Sequence, residues 1–306
     1  MTLAPEIKKF LEASAAAGLP QVWEAPVSVL RKNTQGRVAI AGPIEPLSSI
    51  ENLFIPGPTS DLPIRIYRPV HNSERTVIYF HGGGWVLNFL DIYDASLSRL
   101  ANQSRSTIVS VNYQKAPEHP YPTPFDDCYA TLEWVLENSE KMSLPHTVGV
   151  AGDSAGGNLA AAVALKARDM KIALSFQLLI YPCLDRDFST NSYREKASGF
   201  GLSTQAMQWF WDQYLQGNAH DHDPYALPLR SQSLKGVAPA VVITAEYDPL
   251  LTDGEKYVAA LHRDSIHVVY RNYEGMIHGF FTNVAVTPAA TLAIDWAAAE
   301  ISKITK

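Results

Sequence analysis

The sequence predicts an α/β protein: a mostly parallel sheet of about eight strands, flanked by helices and covered at one end by a helical cap. Three observations carry this. From about residue 50, compact apolar runs of strand length alternate with helix-length segments, the order that right-handed βαβ crossovers produce. Several of the runs, such as "TVIYF" (76–80) and "TVGVA" (147–151), are apolar throughout, as strands buried on both faces are. Two stretches, residues 1–45 and 185–230, break the alternation, and the second is crowded with aromatic side chains.

The elements follow in chain order. An amphipathic N-terminal helix is expected to place Ile7, Phe10, Leu11 and Ala15 on one face, ahead of a tract punctuated by Pro and Gly. "SIENLFI" (49–55) and "LPIRIYRP" (62–69) lie close enough to form an antiparallel pair. "TVIYF", "TIVSVNY" (107–113), "TVGVAGD" (147–153) and "ALSFQLLIYP" (173–182) then read as parallel strands, each but the last followed by a helical stretch. The helix over 122–141 opens on prolines and acidic residues and carries a stripe of Phe125, Tyr129, Leu132 and Leu136. The helix after residue 154 is small and apolar on nearly all sides, as one pressed into the sheet must be. "APAVVITAEYDP" (238–249) and "IHVVYRNYE" (266–274) complete the strands around the helix 253–264, and a helix over 287–305 closes the chain. The aromatic insertion, with Phe200, Trp209, Phe210, Trp211 and Tyr214, suits a cap, so the expected division is residues 46–184 and 231–306 as core, with 1–45 and 185–230 as the cap's two parts.

At 306 residues and 46% hydrophobic, the chain can bury a large core. Its net charge of −6 and sequence pI near 5.8 argue against a nucleic-acid groove, so small molecules are the expected partners. No stretch reaches the roughly 18 apolar residues of a membrane span, and the N-terminus lacks the apolar segment of a signal peptide. Cys128 and Cys183 stand in separate elements without metal-ligand spacing, which points to free thiols in a cytoplasmic protein.

The chemistry concentrates where "TVGVA" runs into Gly152-Asp153-Ser154-Ala155-Gly156 and then a helix. Gly-x-Ser-x-Gly at a strand-to-helix junction makes a nucleophile elbow: the turn is so tight that the residues two before and two after the serine must be free of side chains. The serine hydroxyl is thereby exposed, and the amides after it lie at a helix N-terminus that favours negative charge. A serine nucleophile needs a base, and the base an orienting carboxylate. His278 in "GMIHGF" follows the last strand, and Asp248 ends the preceding one before Pro249, with Glu246 and Asp253 as its local competitors. Among other histidines, His81 is expected to brace a loop, and His220 and His222 to lie in a solvated polar loop; His262 and His267 carry no assignment.

"YFHGGGW" (79–85) ends one strand and then omits three side chains in succession. Backbone N–H groups that stabilise an oxyanion need open approach, so Gly83, Gly84 and the amide of Ala155 are the expected donors, with Gly82 permitting the turn.

In "HGGGW", "APEHPYP", "GDSAGGN", "YDPLLTDG" and "GMIHGF", in this order, the chain resembles the hormone-sensitive-lipase-like carboxylesterases, bacterial family IV of the α/β-hydrolases. The resemblance implies the two-part cap, the triad Ser154, Asp248 and His278, and the oxyanion donors Gly83, Gly84 and Ala155. It also implies a short acyl pocket beneath the inserted helix, where Met207 and Trp211 share one face, with Trp85 as a further substrate-binding residue. Two departures stand out: Asn88 replaces a glycine of the pattern, and Gln114 an arginine, which puts a local buried ion pair in question. The expected activity is hydrolysis of short- to medium-chain esters through an acyl-enzyme, with no metal or organic cofactor. The alternatives are an amidase or deacetylase for a particular metabolite and a non-catalytic small-molecule receptor on the same scaffold, which the presence of His278 disfavours. The last strand is a sheet edge, where a homodimer is expected.

Overall fold

The computed structural model describes residues 2–305. The N-terminal segment holds helices α1 (Pro5–Ala16), α2 (Val27–Asn33) and α3 (Val38–Ala41). The core follows as β1 (Ser49–Ile55), β2 (Leu62–Arg68), β3 (Arg75–Phe80), α4 (Asp94–Ser104), β4 (Ser106–Val111), α5 (Thr123–Asn138), β5 (Val148–Asp153), α6 (Ala155–Asp169) and β6 (Gln177–Ile180). The insertion contributes α7 (Asn191–Glu195) and α8 (Thr204–Leu215). The chain then returns through β7 (Ala240–Tyr247), α9 (Leu251–Arg263), β8 (Val268–Ile277) and α10 (Pro288–Ile304).

These strands form one sheet in the order β1-β2-β4-β3-β5-β6-β7-β8, with β2 antiparallel to both neighbours and every later pairing parallel. Strand side chains alternate between two cores, as a period of two demands. Ile78, Phe80, Val109 and Val150 face the layer of α5, α6 and α9, while Val77, Tyr79, Ile108 and Ala151 face α4 and α10. Every residue of β3, β4, β5 and β6 is buried, which explains their unbroken apolar runs. β1 is an edge and alternates: Ile50 and Phe54 project outward, Phe54 with 71% of its surface exposed.

Two predicted stripes shift. On α1, Ile7 is buried and Phe10 and Leu11 are half-buried, but Ala15 is exposed because only the first turns of the helix meet β8. On α5 the buried line is Phe125, Cys128, Leu132 and Val135, one residue away from Tyr129 and Leu136. Tyr129 is drawn to the rim, where the Lys166 ammonium lies 5.8 Å from its ring. Both cysteines are free and buried. Among the described residues no helix is long and apolar enough to cross a membrane.

Arg31 of α2 ties the N-terminal segment to the core. Its guanidinium donates to the carbonyls of Val86 (2.9 Å) and Ala116 (3.0 Å) and forks onto Glu118 at 2.9 and 2.7 Å. The segment is thereby held against the loop that follows β3.

Candidate active site

The turn between β5 and α6 is as tight as its glycines require. A Cβ on Gly152 would lie 2.1 Å from the Gly156 carbonyl oxygen, and one on Gly156 only 1.9 Å from that of Phe80. Neither position admits alanine without displacing backbone. Between them Ser154 adopts φ 56° and ψ −120°, a conformation that costs a side-chain-bearing residue about 1–3 kcal/mol. Its backbone is held on both sides: the N–H donates to Ile180 O (2.8 Å) and the carbonyl accepts from Cys183 N (3.2 Å). The strained turn leaves Oγ on the carboxyl side of the sheet.

His278 follows β8 and Asp248 follows β7, and parallel strands bring both to that same edge. His278 Nε2 stands 2.8 Å from Ser154 Oγ, and its Nδ1 2.7 Å from Asp248 Oδ2. Because a carboxylate only accepts, Nδ1 carries the proton and Nε2 faces the serine hydroxyl with a lone pair. Asp248 is fully buried, and its other oxygen accepts from Leu250 N at 2.8 Å. The competing carboxylates are engaged elsewhere. Glu246 accepts from Gly275 N (2.7 Å), and buried Asp253 from the amides of Leu184 and Asp185 (2.9 and 3.2 Å). Burial pushes the Asp253 carboxyl up to about 8.

The loop after β3 lies beside this constellation. Gly83 and Gly84 have φ of 114° and 61°, in the region that favours glycine. A Cβ on Gly83 would meet Leu87 O at 2.6 Å, and one on Gly84 would enter the Phe210 ring at 2.1 Å. Gly82 differs from the expectation that it permits a turn, since its φ is not positive. A side chain there would strike the Asp153 carboxylate at 2.5 Å, so the missing Cβ makes room for that group. His81 is buried and stacked on Tyr113 at 4.4 Å, and its Nδ1 donates to Gly82 O at 2.8 Å. Burial, helped by repulsion from Lys115, brings the imidazole down to about 3, so the ring is neutral.

Both departures from the family pattern have local accounts. Asn88 takes φ 69°, the left-handed conformation asparagine tolerates, and its amide nitrogen donates to Gly82 O (3.2 Å) and Tyr93 Oη (3.1 Å). Gln114 donates from its backbone to Asp127 at 2.8 Å and from its side-chain amide at 3.3 Å, so a neutral group serves that carboxylate. Burial raises the Asp127 carboxyl above the ordinary range.

Trp85, Met207 and Trp211 come together with Tyr214 in one buried cluster, in which Trp85 lies 4.4 Å from Trp211 and flat on Tyr214 at 4.2 Å. His220 sits edge-on to Tyr121 at 4.8 Å. Sequence reasoning placed Phe210 in the aromatic insertion but missed that its ring fills the space over Gly84, and it gave no role to Tyr181, whose ring lies 4.6 Å from that of His278. It also missed the buried acceptor role of Asp153, although that residue stands inside the pentapeptide.

Residues 77–282 match the family described as having the alpha/beta hydrolase fold, and all five motifs fall inside that span. The chain belongs to the α/β-hydrolase fold family. The carboxylesterase NlhH of Mycobacterium tuberculosis is 40% identical over 241 residues, covering 76% of this chain and 76% of its own. The arylesterase of Saccharolobus solfataricus is 30% identical over 297 residues, 96% of this α/β-hydrolase and 97% of its own length. Among solved structures, an ester hydrolase from the Lake Arreo metagenome, complexed with a bipyridine phosphonate derivative, superposes with a TM-score of 0.94. It shares 35% identity over 99% of each chain.

The contact between Gly84 and Phe210 gives a test of how α8 sits on the loop of this hydrolase. Gly84→Ala is expected to lower unfolding stability by about 2 kcal/mol or more through overpacking and backbone strain. In the Gly84→Ala, Phe210→Ala double variant the two losses should be less than additive in urea unfolding; strict additivity would show that the ring does not oppose a side chain there.

Proposed function

We propose that this α/β-hydrolase is a serine carboxylesterase, acting on short- to medium-chain acyl esters through the triad Ser154, His278 and Asp248. The observation that carries the reading is the unbroken chain of hydrogen bonds from Ser154 Oγ through His278 to Asp248, at 2.8 and 2.7 Å, above a strained serine backbone. The esterase names of its relatives support the choice of substrate class.

In this mechanism Ser154 Oγ attacks the ester carbonyl carbon while His278 Nε2 takes its proton. Asp248 holds the imidazole in the required tautomer and balances the imidazolium that forms. The carbonyl electrons move onto oxygen, and the amides of Gly83, Gly84 and Ala155 stabilise that charge. The tetrahedral species collapses, the alcohol departs with the proton from Nε2, and an acyl-enzyme remains. Water, deprotonated by the same imidazole, attacks the acyl carbon and releases the acid and Ser154. No step calls for a metal or organic cofactor. Ester hydrolysis of p-nitrophenyl acetate and butyrate is the expected activity, and Ser154→Ala should abolish it; equal rates from the two proteins would end the esterase reading.

Residues 1–45 and 185–230 act in this reading as the two parts of a cap over the site. Trp85 of the core loop, with Met207 and Trp211 of the cap, forms an apolar wall that limits the acyl group to about two to eight carbons by filling the space a longer chain would need. Trp211→Ala should extend the preferred chain length in a p-nitrophenyl ester series, and an unchanged profile would remove Trp211 from the pocket.

The free, buried thiols are consistent with a cytoplasmic enzyme. β8 is the last strand in the sheet order, joined near its end by Ala4 N on Gly275 O, and we assign the homodimer interface to its outer edge. Light scattering at micromolar concentration should report twice the chain mass, and a monomer mass would refute the assignment.

A further inference from the structure

Asp153 immediately precedes the nucleophile, is 5% exposed, and is surrounded by donors. Its Oδ1 accepts from Gly82 N (2.8 Å) and Tyr79 Oη (3.0 Å), and its Oδ2 from Tyr93 Oη (3.3 Å). Burying a carboxylate is costly, and desolvation raises the Asp153 pKa above the ordinary range. No ion pair with a lysine or arginine is present at this carboxylate among the described residues. The acyl-transfer steps described above give it no proton to move. What it does instead is visible in the bonds it makes.

The Tyr93 hydroxyl gives its hydrogen to Asp153, which leaves its lone pairs to accept from Asn88 Nδ2 at 3.1 Å. The same Asn88 amide nitrogen donates to Gly82 O at 3.2 Å, alongside His81 Nδ1 at 2.8 Å, and Arg37 Nη1 donates to the side-chain Oδ1 of Asn88 at 3.5 Å. Asp153 therefore holds Gly82 at both ends, directly at the N–H and through Tyr93 and Asn88 at the carbonyl. In a planar trans peptide the carbonyl and the next N–H point in opposite directions. Clamping Gly82 O toward His81 and Asn88 thus turns the Gly83 N–H the other way, and Gly83 O, accepting from Leu87 N (2.8 Å) and Val86 N (3.2 Å), does the same for the Gly84 N–H. Among the described residues neither glycine N–H donates a hydrogen bond within the chain.

We propose that Asp153 is a positioning residue: through Gly82, and through the relay Tyr93 to Asn88, it aims the Gly83 amide as an oxyanion donor. The role requires a group that only accepts, because its partners Gly82 N–H, Tyr79 O–H and Tyr93 O–H all present hydrogens to it. An ionised carboxylate meets that requirement, and asparagine meets it at one atom of two. The proposal rests on the serine esterase reading, which loss of activity in Ser154→Ala tests by itself.

With Ser154→Ala inactive, Asp153→Ala should lower kcat on p-nitrophenyl butyrate by about 10² to 10³, the effect of losing one oxyanion donor, with KM within about threefold of the parent. Asp153→Asn, which keeps an acceptor for Gly82 N–H, should recover at least tenfold of that loss. Tyr93→Phe preserves the ring and removes the relay hydroxyl; it should lower kcat at least fivefold, and combining it with Asn88→Ala should cost no more than the larger single effect. A purely structural Asp153 would lower the melting temperature and leave kcat per folded molecule, measured by active-site titration, unchanged. That result, or Asp153→Asn falling as far as Asp153→Ala, overturns the proposal. If Asp153→Ala does not fold, Tyr93→Phe with unchanged kcat overturns it.

Discussion

The site depends on a close approach between two backbones. The turn after β5 lies against the end of β3 so tightly that Gly156 has room for no carbon beyond its own backbone, with the Phe80 carbonyl occupying the place of a Cβ. That contact sets the distance between the serine and the loop that begins at His81. It also explains why side-chain-free positions occur on both partners, Gly152 and Gly156 on one and Gly82 on the other, whereas Gly83 and Gly84 are kept bare by Leu87 and by the Phe210 ring. Packing density is high enough here that one added methyl must move a strand end or a helix. The conformational strain at Ser154 is sustained by this surrounding contact and by hydrogen bonds to Ile180 and Cys183.

Around that contact the molecule buries several carboxylates. Asp153, Asp248 and Asp253 are all buried, and each accepts hydrogen bonds from groups of the chain. Asp248 receives the imidazole and the Leu250 amide, Asp253 the two amides that open the insertion, and Asp153 the glycine loop and two tyrosines. Three carboxylates thus organise three segments near one sheet edge. The insertion adds apolar weight: Phe210 on Gly84, and Trp211 and Tyr214 on Trp85. These contacts couple the insertion to the loop.

Much of this was legible from residue type and spacing. Unbroken apolar runs gave the buried strands, and the Gly-x-Ser-x-Gly pentapeptide placed a turn whose steric demand is local and therefore written locally. Asp248 and His278 could be selected because strand ends in a parallel sheet share one edge, whatever the sequence separation. The strand order was not readable, since β3 and β4 exchange places through a crossover that periodicity does not encode. Nor was the part played by Gly82, because the group that excludes its side chain, Asp153, lies 71 residues away. The shift of the α5 stripe from Tyr129 to Cys128 has the same origin: partners on α6 and at the rim decide which of two adjacent residues turns inward.

The central claim is that Ser154 is the nucleophile and is activated where it stands. Reaction with a p-nitrophenyl alkylphosphonate measures this directly: Oγ bonds to phosphorus, p-nitrophenolate leaves, and the adduct stays on the chain. One equivalent of p-nitrophenolate per chain, with the added mass on the peptide that contains Ser154 and no reaction in His278→Ala, is the predicted result. No release from the parent protein, or an adduct on any other residue, would contradict it.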